Sequence, residues 1–341
     1  MTSPSETYRA VQATAPGRLA LTDLPLPDPA AGHVRLRVEA CGICHSDAMT
    51  VEGALPIGFP RVPGHEVVGR IDAVGEGVTD WAVGRRVGVG YLAGHCGRCA
   101  RCRRGDFVNC EQQPFTGVHA DGGYAEVLIA RESGLVAIPD ELDSLEAAPL
   151  LCAGLTTFNA LRDSAARPGD LVAVLGIGGL GHLAVQYARR MGFRVVAIAR
   201  GAEKASLALE LGAHDYIDSV GQDAAAELKH LGGAKLVLAT AANSAATAAL
   251  ISGLAPGGQL LLLGIGAEPI PVSSPDLIIG ERVIGGKLTG SPADSEDTLA
   301  FSVLQDIRAT TEVVGLADAP AAYARMMRNE ARFRMVLDMS R

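Results

Sequence analysis

The run Leu171-Val172-Ala173-Val174-Leu175 is apolar without a break, as a strand buried on both faces must be. Gly176-Ile177-Gly178-Gly179-Leu180-Gly181 follows at once, and a helical pattern continues through Arg190. A second apolar run, Val195-Val196-Ala197-Ile198, leads into a helix over Lys204 to Leu211. Tyr216-Ile217, Leu236-Val237-Leu238 and Leu260-Leu261-Leu262-Leu263-Gly264 carry on the alternation. Strand and helix in turn predict an α/β domain built on a doubly wound parallel sheet. Glycines spaced as Gly176-x-Gly178-x-x-Gly181 arise by chance, and a plain strand-to-helix turn is the rival reading. Here they close a buried strand and open a helix, which is the setting a dinucleotide-binding turn needs. With glycine at 176, 178, 179 and 181, the segment Gly176, Gly178, Gly179, Leu180 and Gly181 lets a pyrophosphate approach the helix N-terminus, whose N–H groups favour anions.

About twenty residues on, such a turn expects an Asp or Glu at the end of the second strand to hold a ribose hydroxyl. The sequence there is Ile198-Ala199-Arg200-Gly201. The acid is missing and a cation stands next to Ala199. A carboxylate would repel a 2′-phosphate, whereas Arg200 can pair with one, which favours NADP over NAD. Arg200 as an ordinary solvated side chain is the competing possibility.

Upstream, from about Val34 to Ile138, short strands are broken by Gly and Pro. Val34-Arg35-Leu36-Arg37-Val38 alternates as a half-buried strand does, and Val67–Val74 and Arg86–Val89 are further candidates. This half predicts a β-rich, antiparallel domain. With 341 residues, 48% of them hydrophobic, the chain can bury a core in each of two domains. A formal net charge of -8 argues against a nucleic-acid surface. No run of eighteen apolar residues suggests a membrane span. Met1 to Glu6 has neither a basic start nor an apolar stretch, so the sequence gives no sign of secretion and points to the cytoplasm.

The seven cysteines read as metal ligands rather than disulfides in such a chain. Four stand in one short loop, Cys96-x-x-Cys99-x-x-Cys102-x7-Cys110. Four thiolates that one loop can fold around an ion make a closed, structural zinc site. A redox pair needs only two, and a nucleic-acid zinc ribbon fits poorly with the acidic balance. Cys44, His65 and Cys152 are far apart in sequence. Two cysteines and a histidine would leave zinc an open position, which is the catalytic arrangement, but a lone His or buried Cys is more often packing.

Their neighbours carry a resemblance. Gly64-His65-Glu66-x-x-Gly69-x5-Gly75-x-x-Val78 is similar, without a gap, to the signature of zinc-dependent medium-chain alcohol dehydrogenases. Cys41-Gly42-Ile43-Cys44-His45-Ser46-Asp47 and Ala148-Pro149-Leu150-Leu151-Cys152-Ala153-Gly154 resemble that family's flanking segments, and the order of motifs extends the likeness over almost the whole chain. It implies that Cys44, His65 and Cys152 bind a catalytic zinc, with Glu66 an occasional extra ligand, so that each chain holds two zinc ions. It implies further that Asp47 hydrogen-bonds His65, that Ser46 touches the substrate oxygen and passes its proton on, and that His45 and Arg334 sit against the cofactor pyrophosphate. Thr156 would contact the nicotinamide. Asp47 as a turn residue and Arg334 as a surface charge are the plainer alternatives.

The same resemblance implies a GroES-like catalytic domain at 1–152 and 286–341 and a Rossmann domain at 153–285, with zinc and nicotinamide in the cleft between them. The expected reaction interconverts alcohols and aldehydes or ketones by hydride transfer. Leu55 and Tyr91 fall where ethanol-active members tend to place bulky aromatics, so the smaller Leu55 should admit a larger substrate. Arg86–Gly90 and Ala148–Gly154 look more like the cinnamyl-alcohol-dehydrogenase branch, which tends to use NADP and favours medium-sized or aromatic substrates. The length resembles that of oligomeric members, tetramers or dimers. One departure is Met49, where many members have a histidine at the outer end of the proton relay. Two other classes compete: a zinc-free quinone or enoyl reductase, and a non-catalytic zinc and dinucleotide protein.

Overall fold

Leu171–Leu175 is buried at all five positions and has parallel neighbours on both sides, Arg194–Ala199 and Ala234–Ala239. In the computed structural model, which describes residues 6–341, the full sheet has six strands. Their order is Asp215–Asp218, Arg194–Ala199, Leu171–Leu175, Ala234–Ala239, Leu254–Leu262, Val283–Gly286, all parallel. Numbered along the chain this is 3-2-1-4-5-6, the doubly wound order of a Rossmann domain. Ile198, Leu228, Val237 and Leu260 form its core with other buried apolar residues. The helix after the glycine turn runs Gly181–Arg190. The helix expected over Lys204 to Leu211 is Ala205–Glu210, preceded by a tighter turn at Ala202–Lys204. These elements belong to a unit spanning Thr156–Leu288.

The other unit comprises the chain through Leu155 and from Thr289 onward. Its main sheet runs Thr311–Gly315, Arg334–Asp338, His33–Ile43, Glu66–Val74, Arg86–Val89, Leu135–Ala137, with Val127–Arg131 also paired to His33–Ile43. The strands are antiparallel except at the Thr311–Gly315 and Arg334–Asp338 pair, which is parallel. Leu36 and Ile71 face each other across the sheet and are almost wholly buried, each worth roughly 1.5–3 kcal/mol of hydrophobic stabilisation. A separate hairpin joins Thr7–Ala15 to Arg18–Pro25.

After Gly285 the sequence pattern is weak, yet the chain makes helices at Pro292–Gln305 and Ala319–Met327. Ser291 and Asp294 begin the first with reciprocal hydrogen bonds between side chain and backbone. No helix among the described residues is long and apolar enough to cross a membrane. Of the Met1–Glu6 segment read for a leader, only Glu6 lies within the described residues.

Candidate metal centre and active site

Cys44, His65, Glu66 and Cys152 come together from three separate segments, and one ligand atom from each lies within 4.8 Å of the others. Cys44 follows the strand His33–Ile43, and His65 immediately precedes the strand Glu66–Val74, which pairs with it. Gly64 makes the turn into His65 at φ +100, and a Cβ there would strike the Tyr124 ring and the Cys41 sulfur. Cys41 itself is fully buried, packed under this turn.

Cys152 arrives differently. The helix Ser144–Pro149 opens on a capping box between Asp143 and Glu146, and at Leu150–Gly154 the winding loosens into a π-helical turn before α-helix resumes at Leu155–Arg162. In the sequence Leu145 to Leu161 is Ala- and Leu-rich and reads simply as helical. A π turn adds a residue to one turn and is frequent at functional sites. Here that turn carries the cysteine.

The donors are arranged for a cation. All four residues are buried, and the Cys44 and Cys152 sulfurs stand 3.9 Å apart. Two thiolates on a tetrahedral zinc with Zn–S near 2.3 Å would be about 3.8 Å apart. His65 Nδ1 is 2.9 Å from Asp47 Oδ1, while its Nε2 is buried with no hydrogen-bond partner. A ring nitrogen left bare at a pair of thiols is a ligand geometry, and Asp47 fixes the tautomer that exposes it. The other carboxylate oxygen of Asp47 accepts from Cys44 N at 2.9 Å and from the Tyr124 hydroxyl at 2.8 Å.

The charges of these donors depend on one another. Burial works against an imidazolium at His65, but Asp47 and Cys44 outweigh it and raise its pKa well above the usual value. The Cys44 thiol is lowered well below its usual value, first by the hydrogen bond with Cys152 and then by His65 and Arg334 against the cost of burial. Glu66 is pushed up to about 7 by burial despite Arg334. Arg334 Nη2 bonds Glu66 Oε1, leaving Glu66 Oε2 without a partner. The structure therefore places Arg334, expected at a pyrophosphate, on the carboxylate beside the cysteines.

Beside this cluster lies an apolar wall. Tyr91 stacks on Phe115 with centroids 4.7 Å apart and meets the His65 ring edge-on at 5.0 Å. Leu92 and Val118 complete its buried part, with Leu55 and Ile57 packed against it. The Tyr91 hydroxyl points to Met49 Sδ at 3.6 Å. Ser46 is half-buried and His45 exposed in the short turn that follows Cys44.

The four-cysteine loop forms a second cluster, with Cys96, Cys99, Cys102 and Cys110 also within 4.8 Å of one another. Backbone N–H groups of Cys96, Cys99, Cys102 and Gln112 each approach a sulfur at 3.4 Å. The N–H groups of Cys102 and Glu111 bring Cys99 down to about 6, whereas burial pushes Cys102 up to about 12. In the Thr156–Leu288 unit, Gly176 donates to Ile198 O at 2.8 Å. Gly181 lies so close to Gly176 that a Cβ would fall 1.8 Å from its carbonyl oxygen. The Gly176 turn and the Ala199-Arg200 strand end are thus adjacent at the carboxyl edge of the sheet. Thr156 is buried in the helix Leu155–Arg162, one turn beyond Cys152.

Residues 30–140 match the model of the alcohol dehydrogenase GroES-like domain, and residues 179–303 that of the zinc-binding dehydrogenases. An alcohol dehydrogenase of Penicillium expansum is 42% identical over 338 residues, 99% of both chains. The chain belongs to the zinc-type medium-chain alcohol dehydrogenases. Among solved structures, the acetophenone reductase of Geotrichum candidum in complex with NAD is 27% identical, at a TM-score of 0.89 over 99% of this chain and 98% of that one. The cinnamyl alcohol dehydrogenase of Helicobacter pylori complexed with NADP(H) is 26% identical, at 0.88 over 98% and 99%. The dehydrogenase thus joins a GroES-like domain to a Rossmann domain, acts on small-molecule alcohols and aldehydes, and uses zinc and a nicotinamide cofactor.

Two features of the site escape sequence reasoning. Tyr124 is one, although Gly122-Gly123 before it marks a close backbone approach, since a Cβ on Gly122 would sit 2.1 Å from Gly64 O. The Glu66–Arg334 pair is the other, and no local spacing signals a contact between residues that far apart.

Proposed function

We propose that this dehydrogenase interconverts medium-sized or aromatic primary alcohols and their aldehydes with NADP(H), through one catalytic and one structural zinc per chain. The observation that carries the proposal is the buried, unpartnered Nε2 of His65 beside two sulfurs 3.9 Å apart. Cys44, His65 and Cys152 would hold the catalytic ion, with Glu66 as an occasional fourth ligand when Arg334 releases it. Cys96, Cys99, Cys102 and Cys110 would hold the structural one. Zinc bound at the first site would supply a Lewis acid that makes an alcohol far more acidic, and a bound nicotinamide would supply the hydride acceptor.

The chain's own residues position and protect. Asp47 accepts the proton of His65 Nδ1 and, through Cys44 N and Tyr124, fixes the turn that carries Cys44 and Ser46. The Ser46 hydroxyl hands the substrate proton outward. Met49 cannot carry that proton further, so beyond Ser46 the proton would have to leave by a route other than a side chain at position 49. The stacked Tyr91 and Phe115 rings would wall the space for an aryl group, and Leu55, packed against that cluster and smaller than an aromatic, would leave room for it. His45, Thr156, the Gly176–Gly181 turn, Ala199 and Arg200 would bind the cofactor, with Arg334 available to its pyrophosphate. The catalytic domain would comprise residues 1–152 with 286–341, and the cofactor domain residues 153–285. A cytoplasmic homo-oligomer, tetramer or dimer, completes the proposal.

Metal analysis should find about two zinc per chain. A kcat/KM panel should favour benzyl and longer alcohols over ethanol, and NADPH over NADH. Faster turnover of ethanol than of benzyl alcohol would overturn the substrate class, and equal use of NADH would overturn the cofactor preference.

A further inference from the structure

Gly201, directly after Arg200, is gripped on both of its backbone groups by side chains of the neighbouring strand. Its N–H donates to Asp218 Oδ1 at 2.8 Å, and its carbonyl accepts from the Tyr216 hydroxyl at 2.5 Å. Both residues lie on Asp215–Asp218, which pairs in parallel with Arg194–Ala199 and brings Asp218 opposite Ala199. Asp218 Oδ1 also accepts from Val220 N at 2.9 Å, so one oxygen ties together the loops that leave two adjacent strands. Those N–H groups, Val220 first and Gly201 second, hold the Asp218 carboxyl below its ordinary range and keep it ionised.

The grip has a geometric purpose. Gly201 sits at φ +82, a conformation that side-chained residues rarely adopt, and the Glu203 carboxylate folds back over it, 2.0 Å from where a Cβ would stand. The chain is thereby turned at a fixed point, and Arg200 is left exposed with no ion-pair partner among the described residues. It stands at the carboxyl edge of the sheet, beside the strand that feeds the Gly176 turn. An arginine held on a fixed backbone loses less freedom when it grips a phosphate than one on a floppy loop.

We infer that Tyr216 and Asp218 are positioning residues that set the NADP-over-NAD choice by aiming Arg200. The inference rests on the proposed preference for NADP and assigns the work of two residues that do not themselves touch the 2′-phosphate. It also runs against simple electrostatics, by which the Asp218 charge would only repel that phosphate.

The test is fluorescence titration of NADPH and NADH into the full-length, zinc-loaded enzyme and its R200A, Y216F and D218A variants. R200A should lower the NADPH-to-NADH affinity ratio by roughly tenfold or more. Y216F and D218A should lower it in the same direction by about three- to tenfold, since each removes one hydrogen bond of the grip. An unchanged ratio in both, while R200A loses its preference, would show that the grip does not aim the arginine. Tighter NADPH binding in D218A would make Asp218 a mere repelling charge and equally sink the inference. An unchanged ratio in R200A would instead remove the NADP preference beneath it. Y216F deletes only a hydroxyl, so it keeps the question open to measurement should D218A fail to fold.

Discussion

The two sulfur clusters of this dehydrogenase differ in where their order comes from. The lobe of Cys96, Cys99, Cys102 and Cys110 gathers its ligands within one short loop, and what braces its sulfurs is that loop's own N–H groups. Only Cys102 and Cys110 are buried. The cluster of Cys44, His65 and Cys152 draws on segments up to 108 residues apart, is buried throughout, and is supported by Asp47, Tyr124 and Arg334. A site written locally depends on its metal for rigidity. A site assembled by the fold has its rigidity before any metal arrives, and so can leave one coordination position to a substrate.

The sharpest way to break this contrast is Cys44→Ser. Losing a ligand at the fold-built site should cut kcat/KM by about a thousandfold or more, because several kcal/mol of Lewis-acid stabilisation are lost. The melting temperature should move by only a few degrees. Cys99→Ser should do the reverse, lowering stability by roughly 2–5 kcal/mol in denaturant melts, the scale of losing a structural cross-link, with catalysis per folded molecule largely kept. A Cys99→Ser enzyme that melts like the wild type would erase the distinction. Chelator treatment gives an independent comparison: protease should cut the Cys96–Cys110 loop first, well before any site near His65.

Smaller effects probe how far the fold supports the catalytic cluster. Asp47→Asn removes the charge that orients His65 and should weaken zinc binding by about 10–100-fold, read from competition with a chelating dye. Tyr124→Phe takes away one hydrogen bond to Asp47 and should cost about 1 kcal/mol, a several-fold faster loss of zinc. No change in Tyr124→Phe would confine the support to Asp47 alone.

Legibility in the sequence follows the same divide. The structural lobe is readable because its chemistry lies in consecutive residues. Leu171–Leu175 and Gly176–Gly181 are readable because burial on both faces and close backbone approach leave compositional marks. Cys44, His65 and Cys152 become a site only through family likeness, since nothing in spacing places them together. Tyr124 and the Glu66–Arg334 pair are invisible in one dimension: each is a long-range contact between common residue types. The helices after Gly285 are missed because their apolar periodicity is weak, although Ser291-x-x-Asp294 carries a start signal for the first.

The π-helical turn at Leu150–Gly154 gives the chain a setting that no side-chain exchange can reproduce. Each residue advances an α-helix by about 100°, so one residue more or less upstream of a ligand swings it to a different compass bearing. The thiol of Cys152 is thus tuned by residue count as well as by residue type. Deleting one neighbour, Leu151 for instance, would keep every ligand in the sequence and still turn the sulfur away from Cys44. A lineage able to gain or lose that single residue would carry, in one codon, a phase dial for its metal.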